Sequence, residues 1–344
     1  MLLAGETILR FEQWSAFGAN QAFETKIDEN IWEVKDDRRR PRPGARMGRV
    51  RFNEQGFRGP LVPVPKPAGL VRVGFFGSST TAEVHIGDFS QTWSAVAMAR
   101  LVSAFPNCKL DYFNAGVPGY IVDAVRDRLA GEAASLEADI AVFMINDTTR
   151  RGRDQLAGRD LKATGYEPGW LAERSLLWLK LEKNVAAQRL KRFSLRRDVA
   201  NRLDLAKMQG ELHLDLKSLV RMAETHNALP VFVENAPISR REQSLETQAE
   251  YSINRLLYLP GVFIADVTEA NYRYNETLRD VAESARIPLI RTLDKMPDKK
   301  AFYIDATHTT PRGNERLGGI IGEALSADLA VKRTLNERGS DCAG

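Results

Sequence analysis

The 344-residue chain is short of the residues that would cross-link it or load it with metal. It has two cysteines, Cys108 and Cys342, 234 positions apart and without C-x-x-C spacing. That pattern excludes a disulfide framework and a structural zinc site. One bridge is the most it allows, and Cys342 falls in a polar ending, "ERGSDCAG", that reads as a tail. Histidine is scarce too, with four in the chain. His85, His213 and His226 lack metal-ligand spacing and read as surface or packing residues, so no metal is expected. No run of about 18 apolar residues occurs, so nothing reads as a membrane span. The opening "MLLAGETILRF" turns polar too soon for a signal peptide. A cytoplasmic protein is the default expectation, with a periplasmic or membrane-anchored one the alternative if the native chain starts upstream. Charge of one sign is also lacking: 49 Lys and Arg against 45 Asp and Glu leave +4, which argues neither for nor against an anionic partner.

What is present suits a folded domain. Hydrophobic residues make up 43% and charged ones 27%, ordinary for a globular chain long enough to bury a core. Residues 1–69 read as a lead-in of short helix and extended loop. Within it "DDRRRPRPGARMGRVR" holds seven arginines between Arg38 and Arg51. No aromatics sit nearby to stack on bases, so a solvated, proline-stiffened loop is expected and a nucleic acid partner is not.

From Val71 strands alternate with helices. "VRVGFF" (71–76) is a continuous apolar run, as expected of a strand buried on both faces. Phe89, Trp93, Val96, Ala97 and Leu101 follow at helical spacing. "KLDYF" (109–113), "DIAVFM" (139–144), "LPVFVE" (229–234) and "IPLIRT" (287–292) supply strands two to five, and "VFIADV" (262–267) reads as a short extra one. The last helix starts with Thr310 as N-cap and Pro311 at its first position. This order predicts an α/β fold in three α/β/α layers around a mostly parallel, flavodoxin-like, five-stranded sheet.

About 80 residues separate strands three and four, far more than a crossover needs. The part at about 150–206 is a helical insertion, expected to cap the site. Its basic helix carries Lys180, Lys183, Arg189, Lys191, Arg192, Arg196 and Arg197. A solvated face is the plain reading, and contact between 180–197 and a membrane or acidic surface is the alternative.

In such folds function gathers at the carboxyl ends of the strands. Four pieces lie there: "GSSTT" (77–81), "NAGVPGY" (114–120), "INDTT" (145–149) and "DATH" (305–308). Together they offer hydroxyl, backbone amide, carboxamide, carboxylate and imidazole, which is what acyl transfer requires. Each alone is ordinary: a turn serine, a glycine with positive φ, a loop asparagine, a turn-capping aspartate. Asp147 reads as the cap of the segment after strand three.

Taken in order, the four pieces resemble the SGNH hydrolases, the GDSL-type esterases and lipases, from Val71 to about Leu325. "FNEQGFRGP" ahead of strand one resembles the lead-in of many bacterial members. The resemblance implies a hydrolase domain over 70–332 with 333–344 as a tail, and neither metal nor organic cofactor. It places the nucleophile at Ser79, the base at His308 and its orienting carboxylate at Asp305. The oxyanion donors fall at Ser79 N–H, Gly119 N–H and the Asn146 side-chain amide. The implied activity is hydrolysis of a carboxylic ester, an acetyl or short acyl group on a carbohydrate, lipid or small molecule. Acyl transfer to a sugar hydroxyl and an inactive binding domain are the alternatives.

The chemistry agrees with that placement. A serine hydroxyl is a weak nucleophile until a base takes its proton, and an imidazole can take and return it near neutral pH. Two departures stand out. The usual Gly-Asp-Ser is Gly77-Ser78-Ser79, which makes Ser78 a rival nucleophile. The usual Gly-x-Asn-Asp is Met144-Ile145-Asn146-Asp147, and the methionine is expected to narrow the site or turn Asn146. A phosphate-binding loop of flavodoxin type is the reading from another class, but "GSSTT" lacks an inner glycine and leaves Asp305 and His308 unused.

Overall fold

The computed structural model describes residues 2–17, 31–35, 37–47, 49–157, 168–340 and 342. Positions 18–30 of the lead-in and 158–167 of the cap lie outside the described residues. The lead-in holds more structure than its composition suggests. Helix α1 (Leu2–Phe17) is followed by hairpin β1 (Trp32–Lys35)–β2 (Arg38–Pro41), then β3 (Arg46–Met47)–β4 (Val50–Arg51). The arginine-rich stretch is solvated in part, with Arg39, Arg42, Arg46, Arg49 and Arg51 exposed, but half-buried Arg38 and Arg40 tie it to the main domain. Arg38 bonds Asp123 and Asp127 at 3.0 and 2.9 Å, Arg40 reaches Glu33 and Glu132, and Arg39 stacks 4.3 Å above the Trp32 ring. Apart from Glu33, the acids that pair with it lie 85 to 92 positions downstream, out of sight of any local reading.

The main sheet comprises β5 (Val71–Gly77), β6 (Leu110–Asn114), β7 (Ile140–Met144), β8 (Leu229–Val233) and β9 (Leu289–Ile290). All pairs are parallel, in the order β6-β5-β7-β8-β9, the doubly wound order expected. Successive side chains alternate between two cores. Val71, Val73 and Phe75 of β5 with Ile140, Val142 and Met144 of β7 enter one. Phe76 with Ala141 and Phe143 enter the other.

Helices α2 (Ser79–Ala82), α3 (Trp93–Ala104) and α4 (Val122–Ala130) connect the first three strands. Trp93, Ala97 and Leu101 of the expected stripe are buried, whereas Phe89 precedes α3 and is 43% exposed. After β7 come α5 (Thr148–Gln155), α6 (Leu176–Ser194) and α7 (Leu205–Thr225). α7 is the true crossover, burying Leu212, Leu216 and Leu219 against the sheet.

After β8 the chain forms α8 (Leu245–Tyr251), α9 (Ile253–Tyr258) and α10 (Ile264–Ala285). The expected extra strand at 262–267 is thus mostly the first turn of α10. Only Val262 makes a lone bridge, to Asn201, and the apolar run is buried inside a helical core. That third core joins Leu190 of α6 to Leu256 of α9 and Ile264 of α10. The cap is therefore built from two separate segments of chain, before and after β8.

Helix α11 (Pro311–Ala327) begins as expected: the Thr310 hydroxyl accepts the Gly313 N–H at 3.1 Å, with Pro311 first. The ending is not a tail. α12 (Leu329–Arg338) buries Val331 and Leu335, Arg338 bonds Asp139 at 3.0 Å, and Cys342 is disulfide-bonded to Cys108 with their Cα atoms 4.5 Å apart. Two apolar side chains one helical turn apart carry the polar-looking end into the core. That docking is what brings the cysteines together.

Candidate active site

β5 ends at Gly77, where a Cβ would lie 2.0 Å from the Met144 carbonyl oxygen and 2.2 Å from Thr81 Oγ1. Only glycine lets the chain turn that close to β7. The turn that follows is held from all sides. The Thr81 hydroxyl donates to the Met144 carbonyl at 2.8 Å, Trp93 Nε1 to Thr80 O at 2.8 Å, and Asn114 Nδ2 to Thr81 O at 2.7 Å. Buried Arg58 donates to the carbonyls of Ala82, Glu83 and Ile86. Glu83 closes the turn with φ +48, and its carboxylate accepts the Trp93 N–H at 3.0 Å. Burial pushes Glu83 up to about 8 against the pull of Arg58, and pulls Arg58 down to about 10. Sequence reading saw neither role; the lead-in motif "FNEQGFRGP" was the signal for Arg58.

Ser79 opens α2, so its N–H has no partner within the helix. Its hydroxyl lies 2.9 Å from His308 Nε2, and His308 Nδ1 lies 2.8 Å from Asp305 Oδ2. Asp305 Oδ1 accepts the backbone N–H groups of Thr307 and His308, each at 2.9 Å. Burial would raise the Asp305 carboxyl, but the imidazole and those amides outweigh it and hold it well below the usual carboxylate range. The carboxylate can only accept from Nδ1–H, which assigns the lone pair of Nε2 to the serine proton.

Gly119, on the loop after β6, has φ +82 and open space where a Cβ would stand. Asn146 follows β7. Its side-chain oxygen accepts the Thr148 hydroxyl at 3.2 Å, which leaves the NH₂ end of the amide as the donor still free to turn to the cleft. All five residues singled out in the sequence line one cleft of about 520 Å³. Such a volume suits a small ligand or one unit of a larger one.

Both departures resolve structurally. Ser78 is buried, and its hydroxyl accepts the Asn146 N–H at 3.1 Å, while Ser79 holds the imidazole. Met144 does not narrow the cleft; its side chain lies in the core with Val142 and Val231 and is absent from the cleft lining. The alternation of β7 sends residue 144 to the face opposite Phe143.

One other expectation changes. Asp147 makes no capping bond to α5; it is fully buried and bonds Arg151 at 2.9 Å, and Arg151 reaches on to Asp215 of α7 at 2.6 Å. His85 is a packing residue, as expected, but it packs beside the site: its ring lies edge-on 5.2 Å from the His308 ring, and Nε2 lies 3.0 Å from Thr309 O. Burial, then the neighbouring imidazole, lowers it to about 4.

The cap shapes the cleft, but not through its basic helix, since no residue of α6 lines it. α5 contributes Thr149, Arg150 and Arg153, and α9 contributes Asn254, Arg255 and Tyr258. The segment carrying α9 had no reading in the sequence. Its signal was the amphipathic run "INRLLY". Arg150 bonds Asp154 in the same helix with both side chains more than half exposed. Such a pair is worth about 0.3–0.5 kcal/mol, too little to keep Arg150 from another anion.

A hydroxyl, an imidazole and a carboxylate in series, at the carboxyl edge of a parallel sheet, define a serine hydrolase of the α/β class. The sequence profile of the GDSL-like lipase/acylhydrolase family matches residues 75–316, and the chain belongs to that family. It is thus a serine ester hydrolase. Similar solved structures include a G-D-S-L family lipolytic protein from Desulfitobacterium hafniense DCB-2, at 10% identity and TM-score 0.44, over 74% of this chain and 99% of that one. An acetyl xylan esterase from Geobacillus stearothermophilus matches at 13% identity and TM-score 0.46, over 74% and 94%. A structure of TesA matches at 14% and 0.44, over 74% and 97%. No curated protein matches the sequence.

Proposed function

We propose that the protein hydrolyses an acetyl or short acyl ester of a carbohydrate, lipid or small molecule through an acyl intermediate on Ser79. The observation that carries this reading is the unbroken series from Asp305 to His308 to Ser79, at 2.8 and 2.9 Å. Ser79 Oγ attacks the carbonyl carbon as His308 Nε2 takes its proton. The negative oxygen is met by the Ser79 and Gly119 N–H groups and the Asn146 amide. His308 returns the proton to the leaving alcohol, and water, activated by the same nitrogen, releases the acid. Asp305 keeps the tautomer and stabilises the imidazolium. Labelling by a fluorophosphonate, read by intact mass and lost in Ser79→Ala, tests the reading. Labelling that survives in Ser79→Ala overturns it.

Transfer of the acyl group to a sugar hydroxyl is the runner-up, supported by a cleft large enough to hold a second hydroxyl compound beside the ester. Product analysis with and without a carbohydrate acceptor separates the two. Contact between 180–197 and an acidic surface is supported by exposed Trp178, Leu181 and Val185 beside Lys180 on α6. Cosedimentation with anionic vesicles tests it. The Cys108–Cys342 bridge favours an oxidising compartment over the cytoplasm; thiol alkylation of protein from its native compartment would leave both cysteines unmodified.

A further inference from the structure

The cleft wall carries four arginines, Arg39, Arg150, Arg153 and Arg255, and two carboxylates, Asp147 and Asp305. Both carboxylates are spoken for, Asp147 by Arg151 and Asp305 by His308. The cleft therefore presents net positive charge to whatever enters it, on a chain whose overall balance is only +4.

Arg255 is the decisive member. It stands on α9 and is 6% exposed, yet no described carboxylate lies within ion-pair reach of it. Its hydrogen bonds run from Nη1 alone, to Asn271 Oδ1 at 2.8 Å and to Thr148 Oγ1 at 3.4 Å, both neutral acceptors. Nε and Nη2 have no acceptor among the described residues, and neither is a sealed-off buried atom. Arg255 itself lines the cleft together with Ser79. Burying a cation without a counter-charge is costly. Burial pulls this guanidinium down to about 10, eased by Asp305, so it stays charged at neutral pH. Elsewhere in the fold, buried arginines are given backbone carbonyls or carboxylates: Arg72 has Asp111 and the Leu136 carbonyl, and Arg151 has Asp147 and Asp215. Arg255, in the wall of the cleft, keeps two donors unspent instead. A planar guanidinium with adjacent free N–H groups matches the two oxygens of a carboxylate or phosphate.

We propose that the ester substrate carries an anionic group, a carboxylate or a phosphate, which Arg255 binds inside the cleft while Arg39, Arg150 and Arg153 draw it in from the rim. This rests on the hydrolase reading above and adds the substrate's charge. Arg153, with no described partner, lies on the α5 side of the same opening. The site selects by supplying a buried charge that only an anion satisfies, so a neutral ester leaves it unmet.

The test compares three acetyl esters on one sugar scaffold: methyl glucoside, methyl glucuronoside and methyl glucoside 6-phosphate. The wild type is expected to favour one charged ester over the neutral one by about 10–100-fold in kcat/KM, the gain of a charge-assisted bond. Which charged ester gains tells carboxylate from phosphate. The ratio should fall toward one in Arg255→Gln and recover partly in Arg255→Lys, and circular dichroism checks that both fold. In Arg153→Ala it should fall less, and added salt should shrink the wild-type ratio as rim charges are screened. Equal kcat/KM for charged and neutral esters overturns the proposal. A separate arm needs no turnover: calorimetry on Ser79→Ala with the deacetylated methyl glucuronoside, methyl glucoside 6-phosphate and methyl glucoside. Anion-selective binding there supports the site even if no ester is cleaved, in which case the hydrolase reading alone fails. Equal or no binding of all three overturns the site even if ester turnover is intact.

Discussion

The Ser78 hydroxyl accepts the backbone N–H of Asn146 at 3.1 Å and so joins the loop after β5 to the loop after β7. Where the family's usual aspartate would stand, a smaller hydroxyl ties the Ser79 loop to the loop that carries Asn146, the proposed oxyanion donor. Ser78 is thereby committed to structure, and Ser79 alone faces the imidazole. Ser78→Ala should retain fluorophosphonate labelling and lose about tenfold in kcat, the value of one hydrogen bond. Ser79→Ala should lose about 10⁴-fold or more. Steady-state kinetics with a p-nitrophenyl ester reads both, and the reverse order would move the nucleophile to Ser78.

Asn146→Ala removes one of the proposed oxyanion donors and should cost about 10²–10³-fold in kcat with little change in KM, because the bond strengthens only as charge develops. Gly119→Ala meets no neighbour within 4 Å but puts a side chain at φ +82. It should lower stability by about 1–2 kcal/mol, measured by urea unfolding, and shift the loop that presents the N–H.

Arg58→Met strips the nucleophile turn of its donor to the carbonyls of Ala82, Glu83 and Ile86. Leaving those carbonyls buried without a donor should cost about 1–3 kcal/mol in chemical denaturation. Activity at temperatures where the variant is fully folded should also fall, since the turn positions Ser79. Full activity in the folded variant would refute the positioning role.

Glu6 of α1 accepts the backbone N–H groups of Leu176 and Leu177 and the Ser175 hydroxyl, capping α6 from outside. Burial would raise its carboxyl, but those bonds prevail and lower it from 4.5 to about 2. A folded-state value below the unfolded one means stabilisation that is complete above about 4.5 and lost as pH falls toward 2. Amide exchange at Leu176 and Leu177 should therefore be slower in wild type than in Glu6→Gln at pH 6. The difference should fade below pH 3.

Cys342→Ala opens a loop of 234 residues closed by the bridge to Cys108. The loss should be about 2–5 kcal/mol and should free α12 first, because Cys342 packs in the same core as Val331 and Leu335. Urea melts of oxidised, reduced and variant protein should show the last two alike. Identical melts for all three would mean that α12 docks without the bridge.

The strands of the parallel sheet were legible because each is written locally, and the five residues of the cleft because their motifs, taken in order, resemble those of the GDSL-type hydrolases. Runs such as "VRVGFF" can only be buried on both faces, and small-residue turns fall where strands end. His308 and Asp305 are three positions apart, so their pairing needs no knowledge of the rest. By itself the sequence determined the sheet and the chemistry it could carry. Tertiary structure decided everything that depends on partners far along the chain. Arg58 reaches its carbonyls 24 to 28 positions on, Arg38 finds its acids 85 and 89 on, and Cys108 its partner 234 on. It also decided the charge of the cleft, since Arg39, Arg153 and Arg255 share no local pattern and meet only when two cap segments and a hairpin close over one sheet edge. Strand and helix periodicity fixes which face a residue occupies; what waits opposite that face is set by the packing of the whole chain.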